Sequence, residues 1–219
     1  MCSSDLMADK QIRAQLVGAT GYGGLGILEL LLGHPNFEIA ALIARDDAGR
    51  RIDQVYPHLT GRCEMTVEAP DDSKIGRDCD VVIFATPDRV SQQYAADLAA
   101  RGVRFIDYSG DFRFTSTDDY ARYAERHPSI KESTHDAAAL LGRNAYGVSE
   151  LNAAAIASAP VVGNPGCFAI GIIIGMAPMY TDGLVADGIV AVDGLTGSSG
   201  AGKKPAPTQH FSHLNDNVI

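Results

Sequence analysis

The stretch that most constrains this chain is Gly18-Ala19-Thr20-Gly21-Tyr22-Gly23-Gly24, because of what stands on either side of it. Ile12 to Val17 is a short apolar run, interrupted only by Arg13 and Gln15, and reads as a strand. Leu25 to Leu32 reads as a helix that ends before His34-Pro35. Strand, glycine turn and helix in direct succession form the unit that seats a dinucleotide pyrophosphate on a helix N-terminus. The spacing is G-x-x-G-x-x-G, a variant of G-x-G-x-x-G, and a glycine turn with no ligand is the competing reading.

Behind that unit, strand and helix signals keep alternating. The pattern implies an α/β fold, a Rossmann-type doubly wound parallel sheet with helices on both faces. Glu38 to Ala44 reads as a strand, and so does Glu64 to Ala69, before the acidic loop Pro70 to Lys74. Asp80 to Ala85 is almost continuously apolar, the mark of a central parallel strand. Val90 to Ala100 reads as a helix, Arg104 to Asp107 as a strand, and Asp118 to His127 as a polar surface helix. Ligands in such folds bind outside the carboxyl ends of the strands. Gly18–Gly24, Arg45, Thr86-Pro87 and Ser109–Arg113 all fall at that edge. After the second strand, dinucleotide folds carry an acid for a ribose 2′-hydroxyl, whereas an arginine there accommodates a 2′-phosphate. Arg45, with Arg50 and Arg51 nearby, points to NADP(H). Asp46 and Asp47 leave two roles open, a ribose acid or a neutralising partner for Arg45.

A second chemical feature is Asn164-Pro165-Gly166-Cys167-Phe168-Ala169. Val161 to Gly163 reads as a strand end, and Phe168 to Met176 as an apolar helix with no breaker before Pro178. Cys167 therefore stands at or near a helix N-terminus, where unpaired backbone N–H groups and the helix dipole favour an anion. A thiolate held there is a nucleophile for carbonyl carbon. The alternative is a small buried cysteine in a tight turn.

Composition narrows the function classes. A net charge of −9 without any Lys/Arg run argues against a nucleic-acid partner. Four cysteines without paired spacing, at 2, 63, 79 and 167, fit a reducing cytoplasm better than a disulfide scaffold. Cys63 and Cys79 read as inert thiols, and the six histidines are scattered with no zinc-type cluster. The apolar stretch from Phe168 to Met179 is too short for a bilayer, so no membrane association is expected. Residues 1–9 read as a leader that is artefactual in part: Met7-Ala8-Asp9-Lys10 has the look of a natural start, and the codons for Cys2 to Leu6 can spell a sequencing-adapter end. Val218-Ile219 carries no cap or turn, and the chain is expected to be truncated there.

Beyond Asn164, Ile189 to Val192 reads as a new strand, followed by a glycine-rich loop from Gly194 to Pro205. Gly197, Gly202 and Lys203 satisfy G-x(4)-G-K, but Lys204 replaces the magnesium-binding Ser or Thr, and Pro205 and Pro207 stand where a P-loop needs a helix. The loop is better read as backbone N–H groups approaching a substrate or cofactor phosphate, or as a flexible connector.

Taken together, Gly-Ala-Thr-Gly-Tyr-x-Gly at 18–24, Ser-Gly-Asp-Phe-Arg at 109–113, Tyr146-Gly147 with Glu150-Leu151-Asn152, Gly-Asn-Pro-Gly-Cys at 163–167 and Gly-Ser-Ser-Gly-Ala-Gly-Lys at 197–203 resemble the N-acetyl-γ-glutamyl-phosphate reductase family, relatives of aspartate-semialdehyde dehydrogenase. The resemblance implies NADPH-dependent reduction of an acyl phosphate to a semialdehyde plus phosphate, through a thioester on Cys167. It implies a cofactor site of Gly18, Thr20, Gly21, Tyr22, Gly23, Gly24, Arg45, Thr86, Pro87, Ser199 and Gly200. It also implies a substrate site of Arg113, Asn164 and Gly166, and a homo-oligomer. Arg113 suits a carboxylate or phosphate because a planar guanidinium binds either bidentately; its alternative is an ion pair with Asp107 or Asp111. The domains implied are 10–163 for NADP binding and 164–219 for the start of a catalytic and dimerisation domain.

Three departures from the family pattern carry expectations. Pro87-Asp88-Arg89 replaces Pro-His-Gly, and a long Arg89 at the cofactor edge is expected to hinder or reshape nicotinamide binding. Ile170 replaces a small or hydroxylated residue and is expected to tighten the pocket. The family's general acid/base histidine is expected beyond Ile219, since His210 and His213 do not match its motif. The first reading is the reductase of arginine biosynthesis. The lysine-pathway analogue with a substrate one methylene longer, a non-catalytic dinucleotide module and a thiol acyltransferase or hydrolase are its competitors.

Overall fold

The computed structural model of the chain describes residues 11–185 and 189–203. One sheet contains β1 (Ile12–Val17), β2 (Phe37–Ile43), β3 (Val67–Glu68), β4 (Val81–Phe84), β5 (Arg104–Asp107), β6 (Asn144–Tyr146) and β7 (Val161–Gly163). Their order is β3-β2-β1-β4-β5-β7-β6, and every neighbouring pair is parallel. The helices are α1 (Tyr22–Gly33), α2 (Ile52–Val55), α3 (Val90–Ala100), α4 (Thr117–Arg126), α5 (Ser149–Ser158) and α6 (Cys167–Thr181). The expected Rossmann-type α/β sheet is what forms.

Period-two alternation sends side chains from the central strands to two separate cores. Leu16, Leu42 and Ile83 pack with Ile27, Leu28 and Leu31 of α1. Val17, Ile43, Val82 and Phe84 pack on the opposite face with Ala95 and Leu98 of α3. This second core extends through edge-to-face contacts, Phe84 to Phe105 at 5.9 Å and Phe105 to Phe112 at 5.2 Å. Each such pair contributes about 1 kcal/mol beyond its burial, and the run ties the 109–113 turn to the centre of the sheet. Gln15, the polar break in β1, is buried and satisfied: its Nε2 donates to Arg77 O at 2.8 Å and its Oε1 accepts from Gly76 N at 2.8 Å.

Several elements differ from the sequence expectation. The strand expected over Glu64 to Ala69 shrinks to Val67–Glu68, because residues 65–67 pair instead with the loop after β2: Ile52 N donates to Met65 O and Val67 N to Arg50 O. Helix α1 starts at Tyr22, inside the glycine turn, where two glycines in the first turn leave it room to begin. Helix α6 runs through Pro178 to Thr181; near a C-terminus the missing proline N–H strips a donor only from the carbonyl four residues back, at half-exposed Ile174. Short β6 and alanine-rich α5 carry no clear periodicity and were not anticipated. Ile189 to Val192 is not a strand: no neighbouring strand among the described residues supplies backbone partners, and Ile189, Val190 and Val192 are exposed.

Candidate functional site

Because all strands run parallel, the loops after β1, β2, β4, β5 and β7 gather at one edge of the sheet. The order reverses between β1 and β4, and a crevice at such a switch point is where ligands bind. Gly18 follows β1 with φ +90°, and a Cβ there would collide with the Ala85 carbonyl after β4. Gly24 faces back into the turn, where a Cβ would meet the Gly18 carbonyl. Gly18 thus closes the turn and Gly24 lets α1 sit on the strand. Gly23 is different: a Cβ there would have no atom of the described residues within 4 Å. Gly21 caps α1, and Leu25 N donates to Gly21 O at 2.8 Å, so the amides of Tyr22, Gly23 and Gly24 precede the first helical bond. An exposed helix N-terminus over a glycine cradle fits a pyrophosphate.

The turn is braced from the β2 side. Thr20 Oγ1 donates to Asp46 O at 3.3 Å, and Tyr56 OH donates to Thr20 O at 2.7 Å. Tyr22 and Arg45 are exposed, and Arg45 has no ion pair among the described residues. Arg50 is engaged by Asp47 at 2.6 Å, and Arg51 by Asp53 at 2.7 Å and Glu64 at 2.9 Å. Asp47 therefore pairs with Arg50, and at 3.4 Å with Lys203, rather than with Arg45. Across the switch point, Thr86 Oγ1 is buried with no hydrogen-bond partner among the described residues, and Pro87 beside it is exposed. Ser199 and Gly200 lie in a 3₁₀ turn over Ser198–Ala201, and their loop meets the β1–α1 turn through Lys203. An open concavity of about 970 Å³ borders the loop after β2, lined in part by Ala48, Gly49, Val67 and Lys74; it lies away from Cys167.

At the other end of the edge, Cys167 is the first residue of α6, exposed and capped by Gly166. Asn164 N donates to Asp107 O at 2.7 Å, anchoring the loop after β7 to β5. Arg113 Nε donates to Asn164 O at 2.7 Å and its Nη2 to Tyr108 O at 2.8 Å. A Cβ on Gly166 would lie 3.4 Å from Arg113 Nη1, so the guanidinium is laid against the residue preceding Cys167. Gly163 permits this approach, since a Cβ there would strike the Phe112 carbonyl. Arg113, Asn164, Gly166 and Cys167 thus converge. Arg113 is held by carbonyls and pairs with neither Asp107 nor Asp111. Ile170, half-buried, follows one helical turn beyond Cys167.

The two aspartates serve a buried polar network that the motifs did not reveal. Asp107 Oδ2 accepts from Ser109 Oγ at 2.6 Å, its Oδ1 is buried without a partner among the described residues, and burial pushes its carboxyl up to about 7. Asp111, also raised by burial, accepts from Arg89 N at 2.6 Å, Ser91 Oγ at 3.4 Å and Tyr120 OH at 3.4 Å. His135 bonds Asp111 O through Nε2 at 3.0 Å and accepts from Ala137 N at Nδ1, and burial lowers its pKa. The Ser-Gly-Asp-Phe-Arg signature was visible; its partners Arg89, Ser91, Tyr120 and His135, 9 to 24 residues from Asp111, were not.

Arg89 does not crowd the cofactor edge. It sits at φ 70° as the N-cap of α3, and its side chain turns to the 132–136 loop, donating to Thr134 O at 2.7 Å and to both Asp136 carboxyl oxygens at 2.9 and 3.0 Å. Asp88 accepts from Gly110 N at 2.8 Å and Tyr123 OH at 3.0 Å. Cys63 is buried, and burial raises Cys79 to about 11. His210 and His213 lie outside the described residues. No helix among the described residues is long and apolar enough to cross a membrane.

Residues 13–159 match the family model described as semialdehyde dehydrogenase, NAD binding domain, and residues 167–219 the semialdehyde dehydrogenase dimerisation domain. Similar curated proteins include the N-acetyl-gamma-glutamyl-phosphate reductase of Bacillus cereus (strain B4264), 37% identical over 94% of this chain and 58% of the relative. That of Bordetella avium (strain 197N) is 38% identical over 95% of this chain and 57% of the relative. The chain spans a little over half the length of these relatives. Among solved structures, aspartate semialdehyde dehydrogenase II from Vibrio cholerae superposes with a TM-score of 0.55 at 23% identity, covering 79% of this chain and 43% of that one. At that identity the likeness concerns the fold.

Proposed function

Because this chain belongs to the semialdehyde dehydrogenase family, we propose that it is the dinucleotide-binding and nucleophile-bearing part of an NADPH-dependent reductase converting N-acetyl-γ-glutamyl phosphate to N-acetylglutamate semialdehyde and phosphate. The observation that carries this reading is the convergence of Arg113 on the Gly166–Cys167 corner at the edge that also holds the Gly18–Gly24 cradle. Gly18, Gly21, Gly23 and Gly24, with the first amides of α1, would hold the pyrophosphate, and Thr86 Oγ1 offers an unspent polar atom beside it. Arg45, without an ion pair among the described residues, supports NADP(H) over NAD(H). When bound, the reduced dinucleotide supplies the hydride for the acyl carbon.

The chain's own residues would act earlier. Cys167 Sγ attacks the acyl carbon, the carbon–oxygen bond to phosphate breaks, and phosphate leaves with the bond pair while the thiol proton passes to solvent. Arg113, its Nη1 turned towards Gly166, binds the substrate's anionic end and fixes the acyl carbon over Sγ. First-turn amides of α6 hold the carbonyl oxygen as charge gathers on it. A reducing, cytoplasmic setting belongs to this reading, which needs Cys167 as a thiol. So does a homo-oligomer, supported by the exposed Phe168, Ile172 and Met179 of α6 within the stretch matching a dimerisation model.

The test is single-turnover acylation. The chain, mixed with N-acetyl-γ-glutamyl phosphate without dinucleotide, is expected to release about one phosphate per chain and gain an acyl group on Cys167 by mass spectrometry. Cys167→Ser should do neither. Dinucleotide binding without acylation would leave a non-catalytic module, and faster acylation by the substrate one methylene longer would move the substrate assignment.

A further inference from the structure

We infer that Lys203, from the glycine-rich loop of the second unit, reads the 2′-phosphate of the dinucleotide. This rests on the proposed NADP-linked activity and adds a residue that the fingerprint after β1 does not contain. Three groups converge on one ammonium: Lys203 Nζ lies 3.5 Å from Thr20 O, 3.4 Å from Asp47 Oδ2, and 5.2 Å from the centre of the Tyr56 ring. Thr20 belongs to the β1–α1 turn and Asp47 to the loop after β2, so Lys203 stands on the β2 side, where the ribose contact of a dinucleotide fold is made. Among the described residues its hydrogen bonds go to Thr20 and Asp47 and not to the first-turn amides of α1, where a pyrophosphate would rest.

The surroundings suit a phosphate rather than a hydroxyl. Asp47 is shared between two cations, Arg50 at 2.6 Å and Lys203 at 3.4 Å, and neither is fully neutralised by one carboxylate. Arg45 stands two residues away without an ion pair among the described residues. Asp47 thus acts as a placeholder. Its carboxylate keeps Arg50 and Lys203 gathered, and a dianionic phosphate entering beside Arg45 takes over the longer of the two contacts. The ammonium is a compact charge on a flexible stem and can swing between these partners, as a rigid guanidinium could not.

Direct binding tests this without turnover. NADPH and NADH are titrated separately into the 219-residue chain, following reduced-nicotinamide fluorescence. Lys203→Gln should raise the Kd for NADPH about tenfold and that for NADH less than about twofold, with the NADPH effect shrinking in high salt. Asp47→Asn should tighten NADPH several-fold; asparagine tolerates the φ of 65° there, so the fold is kept. Equal weakening of both nucleotides by Lys203→Gln, or no preference for NADPH in the parent chain, overturns the inference and leaves a dinucleotide site standing. Binding of neither nucleotide by the parent chain overturns the proposed function and the inference with it.

Discussion

Asp107→Asn probes the ground on which Arg113 stands. Asp107 ends β5, is fully buried, and anchors Ser109 at the start of the turn that delivers Arg113 to Gly166. Burial raises its carboxyl from an ordinary 3.8 to about 7, so at pH 6 the native chain keeps a proton that the unfolded chain has lost. A raised native pKa means that the contribution is fully present below 3.8 and disappears as pH climbs through about 7. Roughly three units at 1.36 kcal/mol each give about 4 kcal/mol lost across that window. Asparagine copies the protonated acid: its oxygen can accept from Ser109 and its amide occupies the unpartnered position. The variant should therefore gain about 4 kcal/mol on the parent between pH 4 and pH 8, whatever its offset at pH 4. Asp111 and His135 titrate in both proteins. His135, lowered by burial, has the opposite slope: its contribution is present above 6.5 and is lost as pH falls. Urea melts of both chains at half-unit steps from pH 4 to 8 measure the difference. Parallel curves would refute the reasoning, because they would mean that Asp107 is ionised, or solvated, in the native chain.

Two further comparisons separate structure from binding. Gly24→Ala pushes a Cβ into the Gly18 carbonyl and should cost about 2–3 kcal/mol in a thermal or urea melt, whereas Gly23→Ala, with open space before it, should leave stability unchanged or raised by up to about 1 kcal/mol. Fluorescence titration should nevertheless show Gly23→Ala weakening NADPH, since the open space is where the pyrophosphate would lie; unchanged affinity would remove the cradle from the site. At α3, Arg89→Ala loses the Asp136 pair yet keeps the left-handed backbone, while Arg89→Gly loses the pair and relieves the backbone. The glycine variant should be about 1 kcal/mol more stable than the alanine variant, and equal melting would show that φ 70° carries no strain.

The central strands were legible because burial on both faces writes them as short apolar runs: Val81–Phe84 and Ile12–Val17 fell where the sequence placed them. Gly18 and Gly24 were legible for a local reason too, the first through its positive φ and the second through its contact with the Gly18 carbonyl. What failed were segments whose structure depends on a partner. Residues 64–66 have strand chemistry but are met by the loop after β2 in place of a strand, and Ile189 to Val192 has β-branched residues with nothing among the described residues to pair with. Asn144–Tyr146 became a strand because β7 lies beside it, register Ala145 to Val162, with little in its own three residues to say so.

The same distinction explains the candidate site. Cys167 announces itself through its corner, but Arg113 reaches that corner across 51 residues, through the Asn164 carbonyl. Arg89 shows the reverse error. By position it threatens the cofactor edge, and by length it could reach it. The left-handed backbone at φ 70° sends the side chain the other way, and Asp136 with two carbonyls keeps it there. A glycine at such a position is free to adopt that φ without cost. An arginine adopts it at roughly 1 kcal/mol and recovers the loss from a charged pair and two carbonyl contacts. The backbone that the turn requires is therefore preserved under a residue that looks incompatible with it, and the Asp111 carboxylate, bonded to Arg89 N, is the group that requires it.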